Sequence, residues 1–375
     1  MNERDLFGPV TIGGIELKNR IAMAPMTRSR ADFEGNVSPL AAEYYAQRAS
    51  AGLVITEAIG INPQAHGYPF TPGIWSAEQR AAWRAVTDAV HAAGGHICAQ
   101  LWHVGRVFSK RNNPLGLDAL GPSAVAPAFK IFTKSGVEDI GTPRPMTAED
   151  IAQTIEDFAT AALAALEAGF DLVELHCANG YIIEQFLSDE ANQRTDAYGG
   201  SRQARLKFLS DILDAIRAKA GDLSRIGIRL SPSGDFNGIR HSDPMGAFRD
   251  VLGLIENQGL AYLHIIEPSI SGDGSRRVAG ESEAPDVLAI ARAAFSGPII
   301  ACADYDRARA EDAIRTDRAD MVAFGRPYIS NPDLVERLKA GIALAEYDRS
   351  TFYTRGAKGY VDYPRLLPAE EDANT

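Results

Sequence analysis

The stretch Thr147–Ala178, TAEDIAQTIEDFATAALAALEAGFDLVELHCA, holds one complete structural unit. Thr147-Ala-Glu-Asp150 resembles a capping box, and Ile151, Ile155, Phe158, Ala162 and Leu166 follow it at helical spacing. Ala168-Gly169 then precedes Leu172–Ala178, a short and nearly continuous apolar run. Such a run suits a parallel strand covered on both faces. The pattern recurs outward in both directions. Further β-rich runs are Arg20–Met26, Gly52–Ala58, His96–His103, Ile226–Pro232, Ala261–Glu267, Pro298–Asp304 and Met321–Pro327. Ser76-Ala-Glu-Gln79 is a capping box for a helix reaching about Ala93, and Asn331-Pro332 marks the expected start of the last helix. Eight strand–helix units predict an α/β protein with a (β/α)₈ (TIM) barrel, a fold of about 250 residues before insertions. Phe7–Lys18, with its Gly13-Gly14 turn, reads as an N-terminal β-hairpin plugging the barrel bottom. Ser109–Arg144, rich in Gly, Pro and Ser, reads as a long excursion after strand 3 that crosses the active face. The competing doubly wound sheet lacks its G-x-G-x-x-G fingerprint here.

Composition narrows the partners. Of 375 residues, 45 % are hydrophobic and 23 % charged, the balance of a globular protein with a large core. Forty-nine acidic against 38 basic residues give a net charge of −11. That excess predicts no nucleic-acid partner and no anionic membrane partner, since both need a basic surface. Three scattered cysteines make no disulfide framework and suit a reducing cytosol. The charged start Met1-Asn-Glu-Arg-Asp5 leads into no apolar signal core, and no apolar run approaches the roughly 20 residues of a membrane helix. The expectation is a cytoplasmic protein with a single barrel domain over residues 1–367. Residues 368–375 read as a loose polar tail.

In such barrels the chemistry stands at the C-terminal ends of the strands. Those ends carry Pro25-Met26-Thr27-Arg28, Thr56-Glu57-Ala58, Gln100 and Trp102, His176-Cys177-Ala178-Asn179-Gly180-Tyr181, Arg229, Ala303-Asp304, and Gly325-Arg326. Carboxylates are too few for a magnesium site. The absence of H-x-H, H-E-x-x-H and CxxC motifs disfavours a transition metal. No G-x-S-x-G supports a serine nucleophile. The ring offers hydrogen-bond donors and a fixed cation, suited to a planar, polar, anionic ligand. Small residues after strands seven and eight, with Arg326, stand where barrels commonly bind phosphate. Arg229 within strand five requires a negative partner.

Several segments together carry a resemblance. NRIAMAPMTR (Asn19–Arg28), AQLWHVGR (Ala99–Arg106), HCANGYIIEQFL (His176–Leu187), NQRTDAYGGS (Asn192–Ser201), FGRPYISNPDL (Phe324–Leu334) and TFY with GYVDYP (Thr351–Tyr353, Gly359–Pro364) are similar in order and context to the old yellow enzyme family. The look is that of bacterial members reducing N-ethylmaleimide and nitrate esters. The likeness runs from about Leu6 to Pro364, and its most specific element is the H-x-x-N-x-Y block.

The resemblance implies tightly but non-covalently bound FMN on a (β/α)₈ barrel, reduced by NADPH or NADH. The reduced flavin then delivers hydride from N5 to the β-carbon of an α,β-unsaturated carbonyl or nitro compound, in ping-pong order. It implies that His176 and Asn179 bond the substrate oxygen and contact the cofactor, and that Tyr181 protonates the α-carbon. Thr27, Gln100 and Arg229 are the implied flavin contacts at the O4 edge, the pyrimidine ring and the N1/O2 edge. Pro25, Met26 and Ala58 line the ring. Ala303, Asp304, Gly325 and Arg326 surround the phosphate, although Cys302-Ala303-Asp304-Tyr305 departs from the glycine-containing turn of many members. A carboxylate at Asp304 opposes a phosphate unless it turns away. Tyr68, Trp102 and Tyr353 match substrate-pocket positions, and Phe129 and Phe132 read as caps of the pocket.

Residue type alone leaves plainer readings beside these. A lone histidine is most often structural, a tyrosine packs against a loop, and a buried Gln or Arg completes a hydrogen-bond network. Pro25, Met26 and Ala58 also read as core, and Cys177 reads as a small buried residue rather than a nucleophile. The alternative activity is reductive denitration of nitrate esters or nitroaromatics at the same site. A flavin-free aldolase or lyase barrel would need a strand-end lysine or metal, and a non-catalytic binding barrel is the third class. The implied partner is a small molecule, with the chain acting as a monomer or homodimer.

Overall fold

A computed structural model describes residues 4–272 and 284–366. The expected tail at 368–375 lies outside them. In chain order the strands are β1 (Val10–Ile12), β2 (Ile15–Leu17), β3 (Ile21–Met23), β4 (Leu53–Gly60), β5 (Ile97–Trp102), β6 (Leu120–Gly121), β7 (Lys130–Thr133), β8 (Gly136–Asp139), β9 (Arg144–Pro145), β10 (Leu172–His176), β11 (Ile226–Leu230), β12 (Tyr262–Ile266), β13 (Ile299–Cys302) and β14 (Met321–Phe324). The helices are α1 (Leu40–Ala46), α2 (Ala77–Ala92), α3 (Ala148–Glu167), α4 (Ile182–Leu187), α5 (Arg202–Ala220), α6 (Pro244–Ile255), α7 (Val287–Ala294), α8 (Arg307–Arg315), α9 (Arg326–Ser330) and α10 (Leu334–Ala340).

Eight strands, β3, β4, β5, β10, β11, β12, β13 and β14, close into a barrel with parallel pairing throughout. Both faces of these strands are buried, which explains the continuous apolar runs. Outward-facing residues such as Val173, Leu175 and Ile228 join one large cluster with the helices. A second cluster fills the barrel's lower interior, where Ile12 and Leu17 of the β1–β2 hairpin meet Leu172, Ala261, Tyr262 and Met321. Gly13 and Gly14 have positive φ at the hairpin turn. A Cβ on Gly13 would lie 2.7 Å from the Ser224 carbonyl, so only glycine allows this close docking at the bottom. The excursion forms a β6–β9 pair and a β7–β8 hairpin. No helix among the described residues is long and apolar enough to cross a membrane.

Helix starts follow their local chemistry. Ser76 with Gln79 and Thr147 with Asp150 both form reciprocal capping boxes. The last helix departs from expectation. Asn331 ends α9 rather than opening a helix, and α10 begins at Leu334. The reason is that the Asn331 side chain is spent on backbone groups, donating to the Pro327 carbonyl and accepting from Ala345 N–H. Strand one is also shorter than Arg20–Met26. Its last ladder bond runs from Ala24 N–H to the Phe324 carbonyl, and Pro25 has no N–H to continue it. Pro25–Thr27 is thereby released as a loop on the C-terminal face.

Candidate active site

A cavity of about 820 Å³ opens at the C-terminal ends of the barrel strands. Every residue expected there lines it: Pro25, Met26, Thr27, Ala58, Tyr68, Gln100, Trp102, His176, Asn179, Tyr181, Arg229, Ala303, Asp304, Gly325, Arg326 and Tyr353.

One wall is built on the turn after β10. Asn179 and Gly180 both take positive φ, at 58° and 74°. Asn179 N–H donates to Ser231 Oγ at 2.9 Å, Gly180 N–H donates to Glu184 Oε2 at 2.6 Å, and Asn237 Nδ2 donates to the Asn179 carbonyl at 2.8 Å. A Cβ on Gly180 would lie 2.7 Å from the Phe236 carbonyl. These constraints bring His176, Asn179 and Tyr181 to one side of the cavity. Tyr181 packs edge-on against Trp102 and His176 with centroids 4.8 and 5.0 Å apart, and Tyr68 stacks on Trp102 at 5.7 Å. Burial, reinforced by the nearby Arg229 charge, pushes the His176 pKa down to about 3, so the ring is neutral at ordinary pH. Burial raises the Tyr181 phenol to about 12, which keeps its proton in place.

A polar edge lies between β5 and β13. Gln100 Nε2 donates to Glu174 Oε1 at 2.7 Å, while Tyr262 OH and His264 Nδ1 bond Glu174 Oε2 at 3.0 and 2.8 Å. Arg229 Nη2 reaches Cys302 Sγ at 3.6 Å, and the buried Glu174 carboxylate is near enough to interact with the guanidinium charge. Burial opposes ionisation of Cys302, yet the adjacent His264 and Arg229 outweigh it and hold the thiol below its usual value.

The Pro25–Thr27 loop continues into a buried clasp. Arg28 N–H donates to Glu57 Oε2 at 3.1 Å, and the Arg28 guanidinium bonds Tyr44 OH and the carbonyls of Phe352 and Gly359. The clasp carries the C-terminal segment, with Phe352 and Tyr353, to the cavity mouth. Tyr353 stands at the rim, 60 % exposed. Phe132 lines the mouth from β7, whereas Phe129 packs at the edge of the Trp102 cluster outside the lining. At the far end, the nearest atom to a Cβ placed on Gly325 would be 3.8 Å away, leaving room beside Arg326, whose Nη1 bonds Tyr347 OH.

Glu174, Tyr262 and His264, which lie beneath the cavity, and Lys134 and Arg355 at its mouth are singled out by no motif or spacing used above. The period-two spacing from Glu174 to His176 was the available signal for Glu174, since both then face the barrel interior. The mouth residues gave none, because loop contacts leave no periodic trace.

A family model described as NADH:flavin oxidoreductase / NADH oxidase matches residues 5–345. An old yellow enzyme homologue from Zymomonas mobilis superposes with a TM-score of 0.90 at 38 % identity, covering 97 % of this chain and all of that one. The chain belongs to the old yellow enzyme family. It is also 41 % identical over 379 residues to 12-oxophytodienoate reductase 1 of Oryza sativa subsp. japonica, covering 99 % of this chain and 95 % of the relative. Morphinone reductase aligns at 41 % identity with a TM-score of 0.91, over 100 % and 99 % of the two chains, and has been solved with tetrahydroNAD bound.

Membership makes the protein a flavin-dependent oxidoreductase with FMN as cofactor and a nicotinamide nucleotide as reductant. The cavity fits that group. Arg229 Nε and His176 Nδ1 are buried at the polar wall without hydrogen-bond partners among the described residues, and the open space at Gly325 suits the approach of a phosphate.

Proposed function

We propose that this protein is an NAD(P)H-dependent ene-reductase acting on α,β-unsaturated carbonyl or nitro compounds. Support comes from one observation: a neutral histidine, an asparagine and a high-pKa tyrosine converge on one wall of an apolar, aromatic-lined cavity. Two relatives are named as reductases, one of 12-oxophytodienoate and one of chanoclavine-I aldehyde. When bound, FMN supplies the hydride taken from the nicotinamide nucleotide.

The chain's own residues do the rest. His176 and Asn179 donate to the substrate oxygen, and both bonds strengthen as that oxygen gains charge. Neutrality of His176 matters because an imidazolium would repel Arg229 across the wall. Tyr181 holds its proton through binding and gives it up only to a strongly basic carbon. Thr27 and Gln100 orient the planar cofactor by hydrogen bonding, and Pro25, Met26 and Ala58 pack against it. Arg229 favours negative charge at the pyrimidine edge. Gly325, Arg326 and the Ala303 backbone hold the phosphate, while Asp304 stands at its border. Tyr68, Trp102 and Tyr353 confine the substrate.

The same donors suit the oxygens of a nitro group or nitrate ester, so turnover on a nitrate ester relative to cyclohexenone measures the breadth of the site. Titration of the FMN-loaded protein with p-hydroxybenzaldehyde tests the assignment. The phenolate bonds the two donors and stacks on the flavin, giving a long-wavelength charge-transfer band. The band disappears in His176→Ala and Asn179→Ala and persists in Tyr181→Phe. A band unaffected by either donor substitution contradicts the assignment.

A further inference from the structure

Glu174 is a fully buried carboxylate on β10 that no step above uses. It lies opposite Gln100 in the β10–β5 register, and Tyr262 and His264 approach from β12. Space for this arrangement is built in. At Gly227, its partner in the β10–β11 register, a Cβ would come within 2.3 Å of the Tyr262 ring. Only glycine there lets the Tyr262 hydroxyl reach the carboxylate. Burying a carboxylate this deeply is costly, and three donors satisfy it. Burial alone would protonate it, but the attraction of His264 and the bonds from His264 and Gln100 prevail and keep its pKa below the usual value.

We infer that Glu174 is a positioning residue that fixes the orientation of the Gln100 amide and thereby selects the imide edge of the flavin. The inference rests on FMN occupying the cavity as proposed. An ionised carboxylate only accepts, so it takes the NH₂ end of the amide. The Nε2–Oε1 bond of 2.7 Å records that choice. The amide oxygen is left as the cavity-facing acceptor. The flavin pyrimidine ring presents an N3–H donor between two carbonyls, which an amide oxygen complements. A reversed amide would set donor against donor. Glu174 never touches the cofactor in this scheme; it acts through Gln100.

Nitrogen-15-labelled FMN bound to the protein reads the effect at N3. In the wild-type protein the N3 resonance is displaced from its position in free FMN. In Glu174→Gln, whose side chain both donates and accepts, Gln100 can turn. The resonance moves back toward the free value and FMN affinity falls roughly tenfold, the scale of one lost hydrogen bond. Tyr262→Phe removes one donor but leaves the carboxylate facing Gln100, so its N3 resonance matches wild type. An unchanged resonance in Glu174→Gln, or an equal displacement in Tyr262→Phe, overturns the inference. Should Glu174→Gln not fold, N3-methyl-FMN provides the test in the unaltered protein. It binds roughly tenfold more weakly than FMN if an acceptor faces N3, and equal affinity overturns the inference. Failure of the wild-type protein to take up any FMN would instead sink the functional reading beneath it.

Discussion

Glu57 shows how a single buried group can be set against stability to shape a site. It accepts the Arg28 N–H and lies among buried groups, and burial lifts its pKa from 4.5 to about 7. The folded state thus holds the proton more tightly than the unfolded chain. Its stabilising contribution is full below pH 4.5 and lost as the pH rises through 7. Glu57→Gln keeps the acceptor for the loop that presents Thr27 and removes the charge. The substitution should leave stability unchanged near pH 4.5 and raise it above pH 7 by on the order of 3 kcal/mol, measured by denaturant titration at both values. A destabilised variant at high pH would mean the ionised carboxylate is held favourably.

Among elements, the turn after β10 concentrates the site's requirements. Its H-x-x-N-x-Y spacing was legible because it is local: three functional side chains lie within six residues. The means of holding it were not. Ser231, Asn237 and Glu184 reach the turn from β11's end, a later loop and α4, and sequence periodicity carries no record of such crossings. Gly180→Ala tests the turn directly. Positive φ and the Phe236 carbonyl 2.7 Å from the added Cβ should destabilise the protein by roughly 1–3 kcal/mol. They should also weaken the p-hydroxybenzaldehyde charge-transfer complex while FMN stays bound, because Thr27, Gln100 and Arg229 are untouched. An intact complex at full strength would show that the turn does not aim the donors. Strand lengths were legible to within a few residues, but the early end of β3 required knowing that Pro25 cannot extend the ladder. Residue type puts the start of the last helix at Asn331, a good cap, but Asn331 is engaged with Ala345 and α10 begins at Leu334.

At the scale of the molecule, the alternation of apolar runs and amphipathic helices is sufficient for the barrel, because parallel strands covered on both faces read as short continuous apolar runs and eight of them recur between helices. Charge was less transparent. A net charge of −11 coexists with a cavity whose lining includes Arg229, Arg326 and Arg355, and among the residues expected there Asp304 is the sole acid. The protein's acid response follows from its buried histidines. Burial lowers His66 from 6.5 to about 4 and both His103 and His176 to about 3. The unfolded chain binds these protons first, so their stabilising contribution is complete above pH 6.5 and declines as the pH falls toward 4. Glu57, Glu267 and His264, raised above their ordinary values, work oppositely, while Glu174, Asp150 and Asp333, held below theirs, act with the histidines. The melting temperature should therefore drop across that interval, and His66→Phe, which replaces a ring whose nitrogens have no partners among the described residues, should lessen the slope. A flat or rising melting temperature would contradict the burial argument.

In the reading proposed above, one cavity passes hydride from a nicotinamide nucleotide to an activated alkene. Sequential anaerobic mixing measures it most directly. NADPH or NADH should bleach the visible absorption of the bound flavin, and cyclohexenone added afterward should restore it with stoichiometric formation of cyclohexanone. In Tyr181→Phe the bleaching should proceed normally while recovery and product formation slow. A flavin that bleaches with the nicotinamide nucleotide but remains reduced in the presence of cyclohexenone and other activated alkenes would rule out ene-reduction at this site.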